Sequence, residues 1–177
     1  MTGSPGPTAA LRHRPAVEGD REFLRALYIL TDQWGDEDRP VSDGIGEELE
    51  AYVDRWTPEQ PGVILEDVGS GTPTPVGGAW LRTFTADDPG AGFVADDIPE
   101  VAIAIRPGYS GHGRGTALMS EMLATARAAG FPAVSLAVDI GNDRARHVYS
   151  KLGFVDSPVN GGLDPSGQCH VMVHYLD

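Results

Sequence analysis

The sequence predicts a mixed α/β domain with its elements in the order βααβββαβαββ. Three observations carry that reading. Short apolar runs alternate with a period of two, as half-buried strands do. Four other stretches place apolar residues at helical spacing. Clusters of Gly, Pro, Asn and Asp separate these stretches, and neither an internal repeat nor a linker divides the chain.

The elements follow in order. Residues 11–16 read as a short first strand. Asp20 is placed to cap a helix whose stripe is Phe23, Leu24, Leu27 and Leu30, with Trp34 near its end. A polar break over residues 35–40 precedes a second helix, opened by Ser42 or Asp43 and carrying Ile45, Leu49, Tyr52, Val53 and Trp56 on one face. Pro58 and Pro61 end it. Residues 63–68 and 76–84 form strands around a Gly/Pro/Thr connection, and an acidic loop containing Asp87, Asp88, Asp96 and Asp97 leads to a fourth strand over residues 100–105. Residues 115–129 form an alanine-rich helix stopped by Gly130 and Pro132. Val134, Leu136 and Val138 alternate along a fifth strand. Asn142 caps a helix with Ala145, Val148, Tyr149 and Leu152 on one side. Phe154 starts a sixth strand, and residues 169–176 form the last. Residues 1–9 read as a flexible tail, leaving residues 10–177 as the folded domain.

Composition narrows the function. The chain has 177 residues, 13 Lys plus Arg and 26 Asp plus Glu, for a net charge of −13. Nucleic-acid and anionic-lipid surfaces draw on clustered cations, so neither a nucleic acid nor a membrane is expected as a partner. The single cysteine, Cys169, excludes an intramolecular disulfide and fits a cytoplasmic compartment. No Cys/His cluster predicts a metal site; His170 and His174 share a strand face but stand roughly 13 Å apart. His147, about 200° round the fourth helix from Tyr149, is expected to face solvent. Trp34, Tyr52 and Trp56 follow helix stripes and read as core or pocket wall.

The most informative stretch begins where Arg106-Pro107 ends the fourth strand. Gly111, Gly113 and Gly115 alternate with Ser110, His112, Arg114 and Thr116 just before the third helix. Glycines free the backbone to turn several N–H groups toward one point, and the helix adds its own unpaired donors and positive dipole end. Such a turn suits a diphosphate, with Arg114 or His112 as a source of charge. A P-loop reading fails because no Gly-Lys-Ser/Thr follows. A dinucleotide reading fails because Leu118 stands at the third glycine position. A glycine-rich surface turn without a ligand remains the alternative.

These residues resemble the GNAT superfamily of N-acyltransferases. Its first signature, Q/R-x-x-G-x-G/A between a strand and a long helix, matches the window from Ser110 through Gly113 to Gly115, with Ser110 in place of the usual Arg or Gln. Its second is an Asn-capped short helix bearing Ala and Tyr and ending in Gly-Phe; here these are Asn142, Ala145, Tyr149, Gly153 and Phe154. The resemblance covers about residues 100–155. It implies a single domain with a mixed, mostly antiparallel twisted sheet of about seven strands and four helices. It also implies acetyl-CoA as co-substrate. Ile103, Ala104 and Ile105 would pair their backbone with the pantetheine arm. Gly111, His112, Gly113, Arg114, Gly115 and Thr116 would hold the pyrophosphate. Asn142 would bond the pantetheine or cap its helix, and Tyr149 would lie near the thioester sulfur.

The expected reaction is acetyl transfer to a primary amine by direct attack in a ternary complex. Tyr149, protonated at neutral pH, is the candidate general acid; a core tyrosine is the alternative. Glu100 is the candidate general base, directly or through a water, because it shares a strand face with Ala102 and Ala104, which leave room for a channel; an exposed strand-end glutamate is the alternative. Cys169 is expected to pack in the last strand, and no paired histidine supports an acyl-cysteine. A non-catalytic acyl-CoA-binding sensor or docking module is the competing function. The resemblance assigns acceptor choice to about residues 31–45 and 156–168. It leaves small-molecule and peptide amines open and is compatible with a homodimer. The acidic loop would favour cationic amines.

Overall fold

The computed structural model describes residues 10–177, so the predicted tail over residues 1–9 lies outside the described residues. Seven strands form one open sheet in the order β1-β2-β3-β4-β5-β7-β6. They are β1 (Leu11–Pro15), β2 (Gly62–Asp67), β3 (Thr74–Arg82), β4 (Glu100–Ile105), β5 (Ala133–Asp139), β6 (Val155–Asp156) and β7 (Cys169–Tyr175). The helices are α1 (Arg21–Asp32), α2 (Ile45–Leu49), α3 (Arg114–Ala128) and α4 (Asp143–Lys151). Pairing is antiparallel for β1 with β2, β2 with β3, β5 with β7 and β6 with β7. It is parallel for β4 with β5, whose register is a single pair, Glu100 with Ser135. The predicted order and mostly antiparallel sheet of an α/β domain are borne out.

The domain contains two compact lobes. The first runs up to Trp80 and takes in Ala102–Met122. Leu24, Leu27 and Leu30 of α1 are buried with Val53, Trp56, Ile64, Trp80, Leu118, Met119 and Met122. Two buried indoles find carbonyl acceptors, as their N–H groups must: Trp80 Nε1 donates to Tyr52 O at 2.9 Å and Trp56 Nε1 to Gln60 O at 2.8 Å. Gly78 lets α1 settle on the sheet, since a Cβ there would lie 3.1 Å from Leu27 Cδ1 and 3.2 Å from Ile64 Cδ1. The second lobe comprises Leu81–Val101 and Leu123–Asp177. Its core is Ala126, Val134, Leu136, Phe154, Val171, Met172 and Val173.

Local chemistry departs from the sequence expectation at three places. Asp20 precedes α1 but its side chain makes no cap bond. It accepts from both terminal nitrogens of Arg14 at 2.8 Å and from Val17 N at 2.8 Å, so an ion pair has taken its oxygens. The second helix starts after Gly44 rather than Ser42 or Asp43; Ser42 N donates to Asp32 and Ile45 N to Ser42 O in the turn before it. It then widens into one π turn, Glu50–Asp54, with Arg55 N donating to Glu50 O at 3.0 Å. The predicted stripe survives that change: Leu49, Tyr52, Val53 and Trp56 are all buried.

Arg14 also donates to Glu66 at 2.7 Å, and Arg12 donates to the other Glu66 oxygen at 2.8 Å. Glu66 is held below the usual carboxylate range chiefly by the Arg14 hydrogen bond. Burial pushes Asp20 up, but Arg14 and the Val17 N–H outweigh it and the net direction is down. Depressed carboxylates stabilise the fold above their unfolded pKa of about 4, and that stabilisation is lost as pH falls through the folded values. Arg14→Ala leaves buried Asp20 without its arginine and Glu66 with Arg12 alone, and is expected to cost about 3 kcal/mol at pH 7. Urea titrations should show the gap to wild type narrowing at pH 3. An unchanged gap would mean that packing by Arg14, not its charge, supplies the stability.

Candidate active site

The first lobe builds an anion-binding turn. β4 leaves the sheet at Ile105, where Arg106 N still donates to Val76 O at 2.8 Å. Gly77 on β3 admits this end of β4, because a Cβ there would lie 3.0 Å from Ile105 Cγ1. Ile103, Ala104 and Ile105 are only half-buried, whereas Glu100, Val101 and Ala102 are buried. The parallel pair with β5 is confined to Glu100, so that pairing does not use the main chain of residues 103–105.

The turn itself is three successive residues in the left-handed region: Gly111 at φ 86°, His112 at 52° and Gly113 at 74°. Arg114 N closes it on Gly111 O at 3.1 Å, and Ala117 N reaches Gly113 O at 2.9 Å as α3 begins. Gly115 and Thr116 therefore sit in the first turn of a 15-residue helix, where N–H groups have no partner within the helix. A Cβ on Gly111 or Gly113 would meet nothing within 4 Å, and one on Gly115 only Ile105 Cδ1 at 4.0 Å. The φ values explain the first two glycines. Gly115 carries no positive φ, so nothing in the chain itself requires it to lack a side chain.

Arg114 and His112 take different parts. His112 is exposed on the turn. Arg114 is buried and its Nη1 donates to Tyr109 O at 3.0 Å, bracing the turn from beneath. The Tyr109 hydroxyl in turn donates to Asp67 at 2.9 Å at the end of β2. Asp67 also accepts from Gly69 N at 2.9 Å, and these bonds with the nearby Arg114 charge hold its carboxyl low. Sequence reasoning missed this chain because Asp67 and Tyr109 are 42 residues apart and no local pattern links them.

The second lobe holds the other predicted residues. Asn142 caps α4, its side chain accepting from Ala145 N at 3.4 Å, as its type and position foretold. Tyr149 lies on α4 with its ring edge-on to Phe154 at 6.0 Å between centroids. Its surface is partly exposed, yet desolvation of the phenol pushes its pKa up to about 12. Glu100 is not an exposed strand end; it is 4% exposed. The loop before β4 closes over it: a Cβ on Gly90 would overlap its carboxylate and the Phe84 ring, and one on Gly92 would lie 2.9 Å from its Cδ. Ser135 Oγ pins that loop by donating to Gly92 O at 2.6 Å. The glycines at 90 and 92 are the sequence signal for this close approach.

The remaining candidates resolve simply. The Cys169 thiol donates to Asp139 at 3.3 Å, and burial together with that carboxylate pushes its pKa up to about 12. His147 is exposed, as expected. Among the described residues no group of three His, Cys, Asp or Glu could hold a metal ion, and no helix is long and apolar enough to cross a membrane. Tyr52 and Trp56 are core, while Trp34 is half-buried beneath the Arg39 guanidinium at 3.8 Å.

Known proteins share this fold. Structures of the same fold include yncA from Salmonella typhimurium, solved with acetyl-CoA, at 18% identity and a TM-score of 0.63, covering 96% of this chain and 95% of that one. A GCN5-related N-acetyltransferase from Kribbella flavida matches at 22% identity and a TM-score of 0.60, covering 94% and 98%. Spermidine N-acetyltransferase from Vibrio cholerae, in complex with CoA and spermine, matches at 21% and 0.58, covering 94% and 95%. No curated protein matches the sequence. The acetyltransferase (GNAT) family model matches residues 22–154, the span that holds the turn, Glu100 and the Tyr149 helix, and the chain belongs to that family.

Proposed function

We propose that the protein moves an acetyl group from acetyl-CoA to a primary amine by direct attack in a ternary complex. The observation that carries this reading is the left-handed turn over residues 111–113, opening onto the N-terminus of α3 with open space at Gly115. Glycine inside a helix costs about 1 kcal/mol relative to alanine. At Gly115 that cost is explained by a diphosphate approaching the main chain more closely than a methyl group allows. Gly111, His112, Gly113, Gly115 and Thr116 hold the pyrophosphate. Ile103, Ala104 and Ile105 pair with the pantetheine amides, and Arg114 shapes the turn rather than touching the anion.

The amine nitrogen attacks the thioester carbon, forming the C–N bond. Glu100 takes the ammonium proton, directly or through a water. As the C–S bond breaks, the sulfur receives the Tyr149 proton. A phenol at about 12 is fully protonated at neutral pH. The desolvation that raises it also raises a thiolate released beside it, so donor and acceptor stay matched. Asn142 acts by fixing the start of α4, hence the position of Tyr149. A covalent acyl-cysteine is disfavoured, since a thiol pushed up to about 12 carries almost no thiolate at pH 7.

Four measurements test this reading. Tyr149→Phe should lower kcat by about 100-fold while acetyl-CoA affinity, measured by calorimetry, changes by less than about twofold. Gly115→Ala should weaken acetyl-CoA binding by about tenfold without lowering Tm, because alanine favours the helix; wild-type affinity in that variant would remove the pyrophosphate assignment. Alkylation of Cys169 by iodoacetamide should be slow at pH 8 and rise only toward pH 12. Cys169→Ala should retain turnover within about twofold, and its inactivity would instead indicate an acyl-enzyme.

A further inference from the structure

The second lobe forms a half-open cleft of about 420 Å³ between two loops, residues 86–93 and residues 157–166, with Val171 of β7 also in its lining. That volume lies at the small end of the roughly 300–1,000 Å³ range for small-molecule pockets. Its wall is mainly apolar, with Ala86, Pro89, Ala91, Phe93, Val159 and Leu163 as the main surfaces. Lys, Arg and His are missing from its lining.

The polar residues of the wall are engaged in holding the loop. Asp164 is the only carboxylate there. One of its oxygens accepts from Gln168 N at 2.9 Å and Cys169 N at 2.8 Å, and the other from Ser166 N at 3.3 Å and the Ser166 hydroxyl. These four bonds fill the lone-pair sites of a carboxylate. Ser157 Oγ accepts from Val159 N at 3.1 Å, and Asn160 Nδ2 donates to Leu163 O at 3.1 Å and Asp164 O at 3.3 Å. The cavity therefore offers a guest apolar contact and no spare ionic partner. Gly90 also lines it, and the Glu100 carboxylate stands directly behind that glycine.

We propose that this cavity receives the apolar body of the acceptor, and that the acceptor is a monoamine bearing a compact apolar group and no carboxylate. The proposal rests on the acetyl-transfer reading above and names its substrate class. The acceptor's single ammonium is placed at the Gly90 end of the cleft, the part of its wall nearest the buried Glu100 carboxylate. An α-carboxylate placed in the cavity would be desolvated without a counterion, which is costly. A second ammonium, as in a polyamine, would find only a carboxylate whose acceptor sites are full.

Phenethylamine, phenylalanine and spermidine separate these cases, since the first two differ only by the carboxylate. Thiol release from acetyl-CoA should give phenethylamine a kcat/KM about tenfold or more above the other two. Val159→Arg changes a half-exposed wall residue and supplies a counterion. It should narrow the phenethylamine-to-phenylalanine ratio by about tenfold. Titration of phenethylamine into the CoA-saturated protein should shift the methyl NMR signals of Val159, Leu163 and Val171. Shifts confined to other residues, or phenylalanine or spermidine matching phenethylamine, would overturn the acceptor class while leaving acetyl transfer intact. Calorimetry showing no acetyl-CoA binding would instead overturn the reading on which it rests.

Discussion

Main-chain N–H groups at the start of α3 point out of the helix with no partner inside it, and the proposed chemistry begins with how the chain collects them. Three consecutive left-handed residues, 111–113, fold the preceding backbone toward the same place. Glycine at two of them makes that conformation accessible, and His112 occupies it as the flanking glycines dictate. A patch of donors so arranged carries positive potential without any charged side chain. That is consistent with Ser110 standing where similar proteins carry Arg or Gln. The buried Arg114 works from below, through Tyr109 and Asp67, so its charge is spent on the shape of the turn.

The second lobe sets the surroundings of Tyr149 and Glu100, the two groups proposed as acid and base. Tyr149 is desolvated enough to hold its proton, and Asn142 fixes the helix that carries it. Glu100 is enclosed by a loop that depends on two missing side chains, at Gly90 and Gly92, and on the Ser135 hydroxyl. In each case a small local feature, a cap or a glycine, sets the surroundings of the side chain. The proposed acid and base thus owe their surroundings to separate structural devices.

Hydrophobic periodicity and caps made most of the fold legible. The stripe of Leu24, Leu27 and Leu30, the alternation of Val134, Leu136 and Val138, and the Asn142 cap are all local signals, and all three hold. What the local patterns left out were other contacts made by the same side chains. Asp20 looks like a cap, but Arg14 arrives from a neighbouring strand and takes both oxygens. The sequence left an exposed strand end as the alternative for Glu100, and a loop ten residues upstream folds back over it instead. Arg114 is also tied to the turn through Tyr109 O, a contact that no local pattern announces. The π turn over Glu50–Asp54 has no signature in the pattern, because widening a helix by one residue leaves its buried face almost unchanged.

The cavity wall consists almost entirely of connecting segments, with Val171 its only contribution from a strand. Loops tolerate substitution and insertion far better than paired strands do. Selection, natural or in the laboratory, can therefore reshape residues 86–93 and 157–166 while the turn at residues 111–113 keeps its own geometry. Libraries confined to those two segments are the natural starting point for retargeting this scaffold to bulkier amines, with Gly90 and Gly92 held constant so that the carboxylate behind them keeps its place.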